Sequence, residues 1–179
     1  SLEKLIEVLT IIKPKKINKI IYTSSSAVYG LSKNIENLKK DPLNRELYSS
    51  FKLASEKVVQ NFCEKNKVKL YIFRLFNTYG NPKDNFSFIE KLIKARNENK
   101  KFTLINNGNS IRDFIHVNDI AKVYQIFLNK KISNGIYDLG TGKGYLIRDL
   151  VNYLKFSNFK IVKKNNVQEI SNSIGEIKN

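Results

Sequence analysis

The chain has 179 residues, 41% of them hydrophobic, with a formal net charge of +16, enough for one domain with a real core. No apolar run approaches the roughly eighteen residues of a membrane span and no secretory leader pattern opens the chain, so a cytoplasmic protein is the default. The single Cys63 excludes an internal disulfide, and with the lone His116 it argues against a zinc site. Lysines are spread along the whole sequence, in runs such as Lys13-Pro14-Lys15-Lys16 and Lys163-Lys164. Without interleaved aromatics or a recognition motif they read as solvated surface, and no nucleic-acid partner is expected. A basic surface also suits an anionic small molecule.

Taken in order, Ser1–Ile12 carries Leu2, Leu5, Ile6, Leu9 and Ile12 at a helical period, which Pro14 ends. A short buried strand is predicted over Ile17–Thr23, running into Ser24-Ser25-Ser26. Polar residues 31–46, with Pro42, form a loop. The helix Leu47–Asn66 follows, with Leu53, Val58, Val59 and Phe62 as its packing face, then the strand Lys69–Leu75. A helix is predicted over Ser87–Asn97, a strand over Phe102–Ile105, a turn at Asn106–Asn109 and a strand over Ile111–Ile115. The helix Val117–Leu128, capped near Asn118 or Asp119, precedes the strand Gly135–Leu139. The helix Leu146–Leu154 and the strand Phe159–Val162 complete the pattern. Alternating strands and helices predict an α/β fold with a largely parallel sheet.

Chemistry concentrates at Tyr48-Ser49-Ser50-Phe51-Lys52. Residues four apart share a helix face. A lysine ammonium there can hold a phenol's pKa below its usual value of about 10. Such a tyrosine can take a proton from a substrate hydroxyl, or return one to a carbonyl, near neutral pH. A serine at the end of the preceding strand can bind the same oxygen. Hydroxyls at a strand's carboxyl end, followed by a helix, occupy the place where open α/β sheets bind their ligands. The bland alternative is a surface Tyr–Lys pair beside serines that satisfy strand-end backbone groups.

The blocks TSSSAVYG (23–30), YSSFK (48–52), RLFNTYGNP (74–82), RDFIHVNDIA (112–121) and YDLGTGKG (137–144) occur in that order. Together they resemble the extended short-chain dehydrogenase/reductase family, in particular its NAD-dependent nucleotide-sugar epimerase/dehydratase branch, the group of UDP-galactose 4-epimerase. The resemblance covers residues 18 to 150. It implies the C-terminal part of a Rossmann-type doubly wound parallel sheet plus most of a small α/β substrate-binding region. Residues 1–82 would be the second half of the NAD-binding domain. Residues 83–179 would be mostly substrate-binding, with 111–129 returning to the Rossmann sheet. No GxxGxxG follows a strand near the start, so the phosphate cradle and further βαβ units are expected ahead of residue 1, and an isolated chain would bind NAD weakly.

The same resemblance implies the roles. Ser25 would hydrogen-bond the reacting sugar oxygen, Tyr48 would act as acid/base, and Lys52 would tune Tyr48 and bind the cofactor ribose, with Ser24 also on the cofactor side. Asn77 and Arg112 would contact the nucleotide diphosphate; Arg112 could instead pair with Asp113 or Asp119. Arg74 reads as sheet-edge packing and His116 as structural. Phe51 departs from the small hydroxyl residue common before the lysine. Ser26-Ala27 stands where dehydratases of the family carry an acidic pair, which favours epimerisation or ketoreduction over dehydration. The implied cofactor is NAD, with NADP possible; the implied substrate is a nucleotide-diphosphate sugar, and the complete protein would form a homodimer. A nucleotide-sugar reductase, decarboxylase or dehydratase, or an inactive binding module, are the alternatives. The string YDLGTGKG also resembles the first motif of SAM-dependent methyltransferases, but too little chain follows it for their sheet.

Overall fold

The computed structural model describes residues 2–30, 47–155, 159–162 and 172–173; the predicted loop at 31–46 lies outside them. In chain order come α1 (Leu2–Ile11), β1 (Lys19–Ser25), α2 (Leu47–Asn66), β2 (Lys69–Leu75) and β3 (Asn77–Tyr79). Then follow α3 (Phe88–Asn97), β4 (Phe102–Ile105), β5 (Ile111–His116), α4 (Val117–Asn129) and β6 (Gly135–Leu139). The remainder are β7 (Gly144–Leu146), α5 (Ile147–Tyr153), β8 (Phe159–Val162) and β9 (Asn172–Ser173). Residues 1–75 with 131–138 form one unit; residues 76–130 with 139–179 form the other.

The first unit is built on a sheet ordered β1-β2-β6. β1 and β2 are parallel, in register from Lys19–Lys69 to Ser25–Leu75, so their carboxyl ends coincide. β2 lies in the middle, and Tyr71, Ile72 and Phe73 are each at most 1% exposed, the signature of a strand covered on both faces. β1 begins later than predicted because Pro14–Lys16 forms a 3-10 turn in which Ile17 N donates to Pro14 O. It then continues through Ser24 and Ser25, which are strand rather than loop.

Helix α2 packs through Val58, Val59 and Phe62 as expected and buries a polar face as well. Val59 and Cys63 join Leu9 and Val68 in a core cluster, with Val58 and Phe62 only partly buried against it. Toward its start the buried face is polar: Ser49, Ser55 and Glu56. Burying such groups costs free energy unless each finds a partner. That half of the helix is therefore held by hydrogen bonds, where the other half is held by apolar contact worth roughly 1.5–3 kcal/mol per buried side chain.

In the second unit β5 pairs parallel with β3 and β9 and antiparallel with β7, while β4 and β8 form a separate parallel pair. The short strands β3, β7 and β9 carry too few residues to show a period, and β7 makes this sheet mixed rather than parallel. Leu92 and Ala95 of α3, Leu104, Phe114, Ile147 and Val151 form the core. Ser87 caps α3, its Oγ accepting from Glu90 N at 3.2 Å. α4 is capped by His116, whose Nδ1 accepts from Asn118 N at 3.1 Å, in place of the predicted Asn118 or Asp119. Residues 111–129 lie in this unit, and the segment that returns to the first unit is 131–138. No described helix is long and apolar enough to cross a membrane.

Candidate active site

Ser24 and Ser25 end β1, and strand alternation sends their side chains opposite ways. Ser25 is extended (φ −144°, ψ 146°) and caps the 3-10 turn Ser26–Tyr29, its Oγ accepting from Ala27 N at 3.2 Å. That bond uses a lone pair, so the hydroxyl hydrogen stays available for an incoming oxygen. Ser24 is 3% exposed and donates to Glu56 Oε1 at 2.5 Å.

Tyr48 and Lys52 stand one turn apart near the start of α2. Tyr48 is 54% exposed. Lys52 leans on the end of β1: its Nζ donates to Thr23 O at 3.0 Å and lies 5.4 Å from the centre of the Tyr22 ring. Burial pulls the Lys52 pKa down, and the Glu56 charge works against that fall. A groove of about 440 Å³ lined by Tyr22, Tyr48, Phe51, Lys52 and Ser55 runs along this face. Phe51, 51% exposed, is part of its wall. The arrangement sets a phenol and an ammonium on one helix face against the strand end that carries Ser25.

Beneath these groups lies a polar chain that the motif alone does not announce. Arg74 donates to Glu56 through both arms, Nε to Oε1 at 3.0 Å and Nη2 to Oε2 at 2.7 Å. Its guanidinium sits 4.8 Å from the centre of the Tyr29 ring, and Tyr29 donates to Asp138 Oδ1 at 2.8 Å. Burial, followed by the partners Arg74 (lowering) and Asp138 (raising), leaves the Tyr29 phenol pushed up to about 12. Arg74 is thus part of a buried ion pair and not edge packing. The signal for Glu56 was present: it stands four residues beyond Lys52, extending the Tyr48–Lys52 stripe.

The second unit holds the other two candidates. Asn77 pairs with Phe114 across the β3–β5 ladder, and Arg112 opposes Tyr145 across β5–β7. Alternation therefore places Asn77 and Arg112 on one face of the sheet. The Asn77 amide donates to Asp113 O at 3.0 Å, leaving its second amide hydrogen and its oxygen. Arg112 Nη1 donates to Ile111 O at 3.0 Å. Asp119 pairs with Lys122 at 2.9 Å. The Gly140–Gly144 loop is turned inward: Asp113 accepts from Thr141 N, Thr141 Oγ1 and Gly142 N at 2.8, 2.6 and 2.8 Å.

Comparison with known proteins shows the family of the chain. The model of the NAD dependent epimerase/dehydratase family matches residues 2–140. A dTDP-D-glucose 4,6-dehydratase of Homo sapiens is 29% identical over 87% of the chain and 46% of its own length. A putative UDP-glucose 4-epimerase of Methanocaldococcus jannaschii is 30% identical over 84% of the chain and 50% of its own length. The solved UDP-N-acetylglucosamine 4-epimerase of Methanobrevibacter ruminantium M1, in complex with UDP-N-acetylmuramic acid, superposes with a TM-score of 0.79 at 26% identity. That match covers 98% of this chain and 59% of the other. The chain spans about half the length of the curated relatives it matches.

Proposed function

This chain belongs to the NAD-dependent epimerase/dehydratase family, and we propose that it is the catalytic part of an NAD(P)-dependent nucleotide-sugar epimerase. The observation that carries the proposal is the docking of Lys52 onto Thr23 O, which sets the Tyr48–Lys52 face against the Ser24–Ser25 strand end. Tyr48 removes the proton from a sugar hydroxyl and later returns it. Ser25 donates its free hydrogen to the same oxygen, and Lys52 supplies positive charge beside the phenol. Holding these three groups in register is most of the chain's work.

The donor set fits part of the implied cofactor. Lys52 and the exposed Tyr48 hydroxyl suit the hydroxyls of a nicotinamide ribose, and NAD when bound supplies hydride acceptance and return. The loop at 140–144 is not its pyrophosphate cradle, because Asp113 already occupies the amides such a cradle would offer. Asn77 and Arg112 are proposed contacts of the nucleotide diphosphate, an amide and a guanidinium fork being the donors a dianion needs.

Epimerisation is favoured over dehydration because Ala27, which follows Ser25 and Ser26, cannot transfer protons. The names of several relatives favour a second reading, a dTDP-D-glucose 4,6-dehydratase. One experiment separates them: the complete protein is incubated with NAD and either UDP-glucose, UDP-N-acetylglucosamine or dTDP-glucose, and products are followed by NMR. The C4 epimer supports the proposal, whereas a dehydrated keto-sugar as sole product replaces it with the second reading.

A further inference from the structure

The first unit contains the polar chain Ser24–Glu56–Arg74–Tyr29–Asp138, of which Ser24, Glu56 and Arg74 are buried, at 3%, 1% and 9% exposure. It joins five segments: the end of β1, the middle of α2, the end of β2, the turn after β1 and β6. Glu56 is its hub. One carboxylate oxygen accepts from both Ser24 Oγ and Arg74 Nε, and the other from Arg74 Nη2. Ser24 immediately precedes Ser25, and Glu56 stands one and two helical turns beyond Lys52 and Tyr48 on the same stripe. A single carboxylate therefore ties the strand end bearing the hydroxyl to the helix bearing the phenol and the ammonium.

Stability alone does not account for such a pair. Desolvating two charges offsets most of their attraction, and apolar residues of similar volume commonly serve a core as well or better. What an apolar pair cannot do is fix direction: the bidentate fork allows one relative placement of helix and strand. Resting on the functional reading above, we infer that Glu56, held by Arg74, is the positioning residue of the Ser25–Tyr48–Lys52 site. It touches no reacting atom and acts by setting the distance between Ser25 and the Tyr48–Lys52 face.

The test is the double variant Glu56→Leu/Arg74→Leu in the complete enzyme, which removes the tie without leaving a buried charge unpaired. The thermal midpoint is expected to stay close to wild type, with kcat lowered on the order of 10²-fold, as for a misplaced catalytic group, and KM for the nucleotide sugar within about twofold. Amide exchange is expected to accelerate in residues 23–27 and 47–53. A folded double variant with wild-type kcat, or with unchanged exchange in both segments, overturns the positioning role. If the double variant does not fold, Ser24→Ala takes its place: it cuts only the strand side of the tie and is expected to lower kcat about tenfold, and an unchanged kcat with unchanged exchange at 23–27 overturns the inference. A wild type that turns over no nucleotide sugar refutes the functional reading instead, and the exchange measurements then judge the tie independently.

Discussion

The Asp113 carboxylate is filled by Thr141, whose backbone N–H and hydroxyl both donate to Oδ1 while Gly142 N donates to Oδ2. Asp113 is completely buried, so this glycine-rich turn takes its anion from inside the protein. Asp113→Ala leaves those donors without their acceptor. The expected cost is about 3 kcal/mol in urea unfolding, against about 1 kcal/mol for Asp113→Asn, which keeps one acceptor oxygen. The Thr141 and Gly142 amide resonances are expected not to move when the wild type is titrated with inorganic phosphate; a saturating shift there would show that the loop binds phosphate after all.

Gly80 takes φ +102°, and a Cβ at that position would lie 2.2 Å from His116 Nε2. The imidazole cannot move away freely: its Nδ1 caps α4 and its ring packs edge-on against Tyr79 at 5.1 Å. Gly80→Ala is therefore expected to destabilise by at least about 2 kcal/mol, from backbone strain and collision together. His116→Ala removes the collision but not the strain. The double variant should accordingly recover part, not all, of the deficit, a coupling measurable by a double-mutant cycle. Strict additivity would show that the histidine side chain is not the obstacle.

The elements legible in the sequence were those with enough residues to show a period: α2, β2, β4, β6 and β8 lie where their patterns predicted them. The family blocks also identified the strand–helix pair that carries Ser25, Tyr48 and Lys52. Less legible was what polar residues do once buried. Glu56, read by hydropathy, belongs on a solvated helix face, yet it is 1% exposed, because Arg74 and Ser24, distant in sequence, supply its partners. The same applies to Asp113, whose partners come from a loop about thirty residues on. Hydrophobic periodicity records burial only where burial is apolar. Strands of two or three residues such as β3, β7 and β9 lie below its range.

Alkaline stability follows from two groups with the same sign. Tyr29 is pushed up to about 12 from 10.0, by burial first, and Cys63 up to about 11 from 9.0, by burial and then the Glu64 charge. In both cases the folded chain holds its proton more tightly than the unfolded chain. The stability each contributes is thus complete below its unfolded value and is lost as pH rises through the folded one. Urea midpoints are expected to be flat to about pH 9 on this account and to fall between pH 9 and 12. Tyr29→Phe is expected to be less stable than wild type at pH 8, having lost the bond to Asp138, and the gap between the two is expected to narrow above pH 10. A constant gap up to pH 12 would show that the Tyr29 proton is not held by the fold.

Tyr48→Phe removes only a hydroxyl from a ring that is more than half exposed. Among the described residues no hydrogen bond uses that oxygen, and Lys52 keeps its own anchor on Thr23 O. Its unfolding free energy is therefore expected within about 0.5 kcal/mol of wild type, the range of an ordinary surface substitution. Turnover of nucleotide sugar by the complete enzyme is expected to fall by at least about 10²-fold, the usual contribution of a positioned acid/base. Lys52→Met should also lower turnover, and it should weaken NAD binding measured by calorimetry, since it removes the ammonium assigned to the ribose. Near-normal turnover by a folded Tyr48→Phe protein would move the acid/base role to another hydroxyl. Ser25 and Tyr22, at the end of β1 and in the groove wall, would be the first to examine.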